Sequence, residues 1–178
     1  MRLYVMRHGD ADFYAKKDFD RQLTDQGRRR VSAVIAELLA REKSFSIDAI
    51  IASPLVRARQ TSEIFLADIQ RLLSSQDGSR LEKMDIEIAE ELAPEGRIEK
   101  ALAKLYDRFQ SYPNGNIAIF THQPFVSQFV NWLVGGNRHD ISLDTASLAV
   151  LDFEVLAQGC CDLKFMLHAD NCISEAEH

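Results

Sequence analysis

Short apolar runs alternate along this chain with longer stretches of helical period, and that alternation restricts the fold more than any other feature. Arg2–Met6 reads as a strand, followed by a polar loop from Asp10 to about Leu23. Thr24-Asp25-Gln26-Gly27 opens a helix that runs to about Glu42. Thr24 can cap it, and Val31, Val34, Ile35, Leu38 and Leu39 form its apolar stripe. Ala49–Ala52 is a second strand. Ser53-Pro54 then starts a second helix, with Ser at the cap and Pro at the first helical position. Ile64, Phe65, Ile69, Leu72 and Leu73 suit the buried face of that helix. After a polar loop, Ser74 to Arg80, Asp85–Glu90 reads as a short strand and Ile98–Phe109 as a third helix. A turn at Pro113–Asn116 leads to the buried strand Ile117–Phe120, and a fourth helix, about Phe125 to Val134, is stopped by Gly135-Gly136. The final third changes character: Ser147–Val155 and Asp162–Leu167 read as two strands joined by a Gln158-Gly159 turn. The expectation is a three-layer α/β/α sandwich with a mostly parallel central sheet and an antiparallel C-terminal hairpin or edge. Residues 1–170 would form one domain and residues 171–178 a polar, frayed tail.

Charge and cysteine usage narrow the function classes. The 178 residues carry a net charge of −6, against the basic surface expected of a nucleic-acid binder. If so acidic a protein handles a phosphate, its cations must be concentrated locally. No apolar stretch approaches the ~20 residues that span a bilayer, and the first apolar run is too short for a secretory signal. A cytoplasmic protein with no membrane association is expected. Cys160, Cys161 and Cys172 are odd in number and lack paired C-x-x-C spacing, so reduced thiols are expected and no structural zinc. Cys160 and Cys161 should face opposite sides of a late strand.

In parallel sheets ligands bind beyond the carboxyl ends of the strands. His8, Ser53 and His122 all fall at such ends. The first strand delivers Arg7-His8-Gly9: an imidazole able to act as nucleophile, a planar cation suited to phosphate oxygens, and a glycine whose missing Cβ admits close approach of a ligand. Arg57 lies in the first turn of the second helix, where the helix dipole disfavours a cation, which points to pairing with an anion. His122 enters the same edge, as donor to developing charge or as an imidazole paired with a carbonyl. Arg21, in the loop before the first helix, lies within reach of it. Glu91, after the third strand, is a candidate acid or a solvated carboxylate. Asp10 and Asp12 read as solvated loop carboxylates or, being close to His8 in sequence, as supports of the residues around it; His139 and His168 read as structural or surface residues, and Tyr4 and Phe120 as core.

The ordered set of Arg7-His8-Gly9, Leu23-Thr24 with Gly27, Ser53-Pro54 with Arg57, Gln60 and Thr61, and the strand-end His122 resembles the histidine phosphatase superfamily, also called the phosphoglycerate mutase-like family. Within it the chain is most similar to the SixA-type phosphohistidine phosphatases, through Arg7 to Ala11, Arg21 before Leu23-Thr24, and Glu91 to Gly96. The resemblance implies that His8 accepts the phosphoryl group, that Arg7, Arg57 and His122 hold its oxygens with help from Arg21, and that Glu91 is a candidate general acid. It implies a metal-independent hydrolase without a cofactor, which suits a reaction that depends on positioning and fixed positive charge. Members acting on sugar phosphates carry an asparagine where Tyr14 stands here and a longer stretch before the acid, so no large cap is expected. The implied substrate is a phosphorylated protein, a histidine-phosphotransfer domain in signal transduction, acted on by a monomer. A broad phosphomonoesterase and a non-catalytic phospho-ligand binding module are the alternatives.

Overall fold

The computed structural model describes residues 1–73, 81–135 and 141–174. The element order is β1 (Arg2–Arg7), α1 (Asp25–Arg41), β2 (Ala49–Ala52), α2 (Val56–Leu73), β3 (Ile86–Ile88), α3 (Ile98–Ser111), β4 (Asn116–Thr121), α4 (Phe125–Val134), β5 (Leu148–Phe153), β6 (Cys161–Leu167) and α5 (Ala169–Ser174). Single 3-10 turns at Asp18–Asp20 and Glu90–Leu92 interrupt the loops after β1 and β3. The strands form one six-stranded sheet in the order β3-β2-β4-β1-β5-β6. Pairing is parallel from β3 through β1 and antiparallel for β1–β5 and β5–β6. The mostly parallel sheet with an antiparallel edge is therefore as the sequence implied.

Each central strand splits its side chains between two cores, because successive residues point to opposite faces. Leu3, Val5, Ile51, Ile117 and Ile119 pack with α3 and α4 residues such as Leu105, Phe125 and Phe129. Tyr4, Met6, Ile50, Ala52, Ala118 and Phe120 pack with α1 and α2 residues such as Val31, Leu38 and Phe65. Burial on both faces is why these strands read as continuous apolar runs. It also leaves polar function to the strand ends.

Several local readings change. Thr24 does cap α1, its Oγ1 accepting from Gly27 N at 2.9 Å. Ser53 does not cap α2. That helix starts at Val56, the Leu55 carbonyl accepts from Ala58 N and Arg59 N, and Ser53 Oγ is turned to His122. On α2, Phe65 and Ile69 are fully buried but Leu72 is 43% exposed. The expected tail from residue 171 is helical through Ser174, because Cys172 finds apolar cover against the α1 side of the sheet. Cys160 is exposed and Cys161 buried, both as free thiols. His168 is structural, its Nδ1 within 3.0 Å of Ser147 Oγ. His139, the loop Ser74–Arg80 and Gly136 lie outside the described residues.

Candidate active site

The register aligns three strand ends. Arg7 sits opposite Thr121, while Met6 and Ala52 both sit opposite Phe120. The next residue of each strand, His8, His122 and Ser53, is thereby carried to one edge. His8 N donates to Thr121 O at 3.0 Å and Ser53 N to Phe120 O at 2.9 Å, which extends the ladders one step past the strands. A cleft of about 310 Å³ opens there, lined by Arg7, His8, Asp10, Phe13, Arg21, Arg57, His122, Gln123 and Thr145 among others. The edge thus holds Arg7, His8, Arg21, Arg57 and His122 together, as the sequence implied. A larger depression, about 770 Å³, lies at the opposite edge around Met1, Arg2, Asn116 and Cys160. Its principal cation, Arg2, is already committed to Glu42 and Asp152.

The hydrogen bonds of His8 determine where its proton sits. Arg57 Nε donates to His8 Nε2 at 3.2 Å, and a guanidinium has only donors, so Nε2 must present its lone pair. Nδ1 therefore carries the proton and donates to Gly9 O at 2.7 Å. Burial drives the pKa down to about 4. The Gly9 carbonyl opposes that shift, and the charges of Arg57, Arg7 and Arg21 add to it. His8 is a neutral imidazole whose Nε2 lone pair is held by Arg57 Nε at the edge of the cleft, the protonation state a nucleophile requires. Desolvation is the larger cause, and the neighbouring cations add to it.

His122 is lowered further still, by burial first and then by the neighbouring His8 and Arg57. Its Nε2 lies 2.7 Å from Ser53 Oγ and its ring centroid 4.9 Å from that of His8. Ser53 Oγ accepts from Leu55 N at 3.5 Å, which leaves its hydroxyl proton for His122 Nε2; in that tautomer Nδ1 carries the ring proton, and it is buried with no protein partner. Arg7 donates through Nη1 to Leu143 O at 2.9 Å, and its buried Nε also lacks a partner. Burying an unpaired donor is costly. Both residues line the one cleft, where these atoms are available to a ligand.

Arg21 donates through Nε to Asp12 O at 2.6 Å and through Nη2 to Ala11 O at 3.2 Å, and its guanidinium lies 4.8 Å from the Phe13 ring centroid. The loop carbonyls thus aim it at the cleft. Gly9 plays a different part from the one expected. A Cβ there would fall 2.9 Å from both Gly27 O and Val31 Cγ2, so the missing side chain admits α1 rather than a ligand. A Cβ on Gly27 would lie 2.2 Å from Asp10 O, so the N-terminus of α1 rests directly on the nucleophile loop. Thr61 completes the lock: its Oγ1 accepts from Gly9 N at 3.1 Å and donates to Arg57 O at 2.7 Å.

Two loop carboxylates take up distinct positions here. Asp10 is no solvated carboxylate: Arg30 Nε lies 3.2 Å from its Oδ2, and the Thr145 hydroxyl donates to Oδ1. Glu91 is not among the residues lining the His8 cleft; it lines a neighbouring groove with Glu95, Arg97 and Lys100. Sequence reasoning also missed Asp18, Gln123 and Thr145. Asp18 binds both Arg57 and Arg21. Gln123 Nε2 donates to Leu143 O, the carbonyl that also anchors Arg7. Among the described residues no group of three His, Cys, Asp or Glu side chains could hold a metal ion, and no helix is long and apolar enough to cross a membrane.

A mostly parallel α/β sheet that carries a neutral buried imidazole among three guanidinium groups at its carboxyl edge has the chemistry of a site for a phosphoryl group. Comparison with known proteins gives the class: residues 3–111 match the model of the histidine phosphatase superfamily (branch 1), and the chain belongs to that superfamily. The phosphohistidine phosphatase SixA of Escherichia coli is 32% identical over 153 residues, 84% of each chain. The SixA homolog of Haemophilus influenzae is 27% identical over 154 residues, 85% of this chain and 87% of that one. The solved structure of the protein histidine phosphatase SixA complexed with tungstate superimposes with a TM-score of 0.76 at 25% identity, covering 96% of this chain and 99% of that one. The chain is a SixA-like phosphatase of this superfamily.

Proposed function

We propose that the protein removes the phosphoryl group from phosphohistidine on another protein, a histidine-phosphotransfer domain of a cytoplasmic phosphorelay, through a covalent intermediate on His8. One observation carries this reading: Arg57 Nε on His8 Nε2 and His8 Nδ1 on Gly9 O together fix a neutral imidazole, its Nε2 unprotonated, in the lining of a cation-rich cleft. In the first step the Nε2 lone pair forms the new N–P bond. The bond between phosphorus and the substrate's imidazole nitrogen breaks, and its electron pair leaves with that ring, which takes up a proton. In the second step water attacks phosphorus, the His8 N–P bond breaks, and inorganic phosphate and neutral His8 result. Arg7, Arg21, Arg57 and the Nδ1–H of His122 hold the phosphoryl oxygens while charge shifts among them.

The substrate class follows from the leaving group and from access. A protonated imidazole departs readily, so the placement of Glu91 in another groove is no obstacle. Only residues 74–85 separate α2 from β3, too few for a large cap, which supports the reading of a single-domain phosphatase with an accessible site. Phe13, in the cleft lining, is 85% exposed, and so offers an apolar surface to a bulky partner. A small metabolite gains affinity from enclosure, which an open cleft does not supply. The likeness to SixA, named a phosphohistidine phosphatase, supports the same substrate. The test is single-turnover dephosphorylation of a phosphotransfer domain labelled on histidine, with p-nitrophenyl phosphate in parallel. The reading predicts fast loss of label that vanishes in His8→Ala. Persistence of the label while p-nitrophenyl phosphate is cleaved would leave a small-molecule phosphomonoesterase instead.

A further inference from the structure

The cations of the cleft are not idle. Arg57 spends all three of its nitrogens: Nε on His8 Nε2, Nη1 on Asp18 O at 2.7 Å, and Nη2 on Asp18 Oδ2 at 2.9 Å. Arg21 Nη1 donates to the other carboxylate oxygen, Asp18 Oδ1, at 3.1 Å. One carboxylate therefore bridges two guanidinium groups beside the nucleophile. It offers an oxygen to each, as two oxygens of a phosphoryl group would.

From this juxtaposition we propose that Asp18 is an intramolecular competitor for the phosphoryl seat: its carboxylate holds Arg57 and Arg21 until a substrate or product phosphate displaces it. The inference rests on the reading of the cleft as a phosphate site. Displacement is mechanically cheap. The Asp18 side chain is 61% exposed, on a single 3-10 turn with no buried residue, so it can swing into water without opening the core. Its backbone carbonyl stays on Arg57 Nη1 and keeps that guanidinium aimed while the carboxylate leaves. Burial raises the carboxyl pKa, but the hydrogen bonds from Arg57 and Arg21 outweigh that, so Asp18 is held below the usual carboxylate range and remains charged at neutral pH.

The consequence is a threshold. A ligand that needs the open seat binds with its intrinsic affinity reduced by the fraction of time the seat is open. Weakly held monoanions are pushed out of range, whereas a phosphoryl group brings a further charge and a third oxygen that can reach Arg7 Nε and His122 Nδ1. After hydrolysis the returning carboxylate helps to expel inorganic phosphate. Exposed ion pairs are individually weak, at most about 1 kcal/mol, so removing this one should tighten anion binding by about twofold to fivefold.

The experiment is calorimetric titration of inorganic phosphate at pH 7.5 into the wild type, Asp18→Asn and Asp18→Ala. Asn keeps the shape and loses the charge; Ala removes the side chain. The expected result is tighter phosphate binding in both variants, with product inhibition by phosphate strengthened in parallel. Unchanged or weaker binding in the variants, with the wild type binding phosphate, would overturn the proposal and make Asp18 a residue that merely orders the two arginines. If none of the three proteins binds phosphate, the reading of the cleft falls, and the proposal with it.

Discussion

His8 should remain neutral far below the pH at which an ordinary histidine takes up a proton. Its pKa is about 4 against 6.5 for the unperturbed side chain, mainly because the ring is buried. At pH 5.5 a group of pKa about 4 is neutral in a ratio of roughly 30 to 1, whereas one of pKa 6.5 is cationic by about 10 to 1. Nitrogen-15 NMR of the imidazoles should therefore show His8 at pH 5.5 as neutral, with Nδ1 protonated and Nε2 bare. The same gap affects stability. The unfolded chain protonates His8 near pH 6.5 and the folded chain only near 4. The contribution is intact above pH 6.5 and is lost as pH falls toward 4. Between pH 7 and 5 it amounts to about 2 kcal/mol, from roughly 1.4 kcal/mol for each pH unit below 6.5. Urea unfolding of the wild type and of His8→Ala measures it directly, since other groups titrate in both proteins. The wild type should lose about 2 kcal/mol more than the variant over that range. Equal losses, or an His8 resonance that becomes cationic between pH 7 and 6, would refute the argument from burial.

Arg57→Lys should lower kcat/KM for the phosphorylated substrate by about 100-fold or more with the fold intact, because a point charge cannot contact His8 and span two phosphoryl oxygens at once; circular dichroism alongside kinetics checks both halves. Gly27→Ala should destabilise by more than about 2 kcal/mol, since its Cβ would strike the Asp10 carbonyl and push α1 away from the nucleophile loop; thermal unfolding would show it. Thr24→Ala should cost about 1 kcal/mol through loss of the bond to Gly27 N, read in the same experiment. Glu91→Gln should leave phosphohistidine turnover within about tenfold of wild type, whereas loss of a working general acid costs about 100-fold or more.

The parts of the fold that could be read in the sequence are those fixed by local pattern. β2 and α4 fall on the expected residues because an apolar run of four and a buried helix ended by Gly135 leave little choice. The strand-end residues His8, Ser53 and His122 were visible for the same reason, since a parallel strand can place polar function only at its ends. What escaped depends on contacts between distant segments. Ser53-Pro54 has the composition of a helix start, but His122, 69 residues away, takes the serine hydroxyl and the helix begins later. Gly9 suggested room for a ligand, yet α1 fills that room. Asp10 and Asp18 stand in one polar loop and look alike in sequence. One is tied to Arg30 and Thr145, the other to the two arginines of the cleft, and only the packing of that loop separates them. Glu91 lies after β3, next to β2 in the sheet, but the 3-10 turn at Glu90–Leu92 puts it in a separate groove.

The central claim is that His8 Nε2 carries the phosphoryl group during turnover. The most direct measurement is to mix enzyme with labelled substrate, quench in alkali within milliseconds so that the N–P bond survives, and locate the label by mass spectrometry and phosphorus-31 NMR. The account predicts a transient phosphorus on Nε2 of His8 that decays as inorganic phosphate appears, and none in His8→Ala. Label on another residue, or phosphate release from the His8→Ala variant at the wild-type rate, would contradict it.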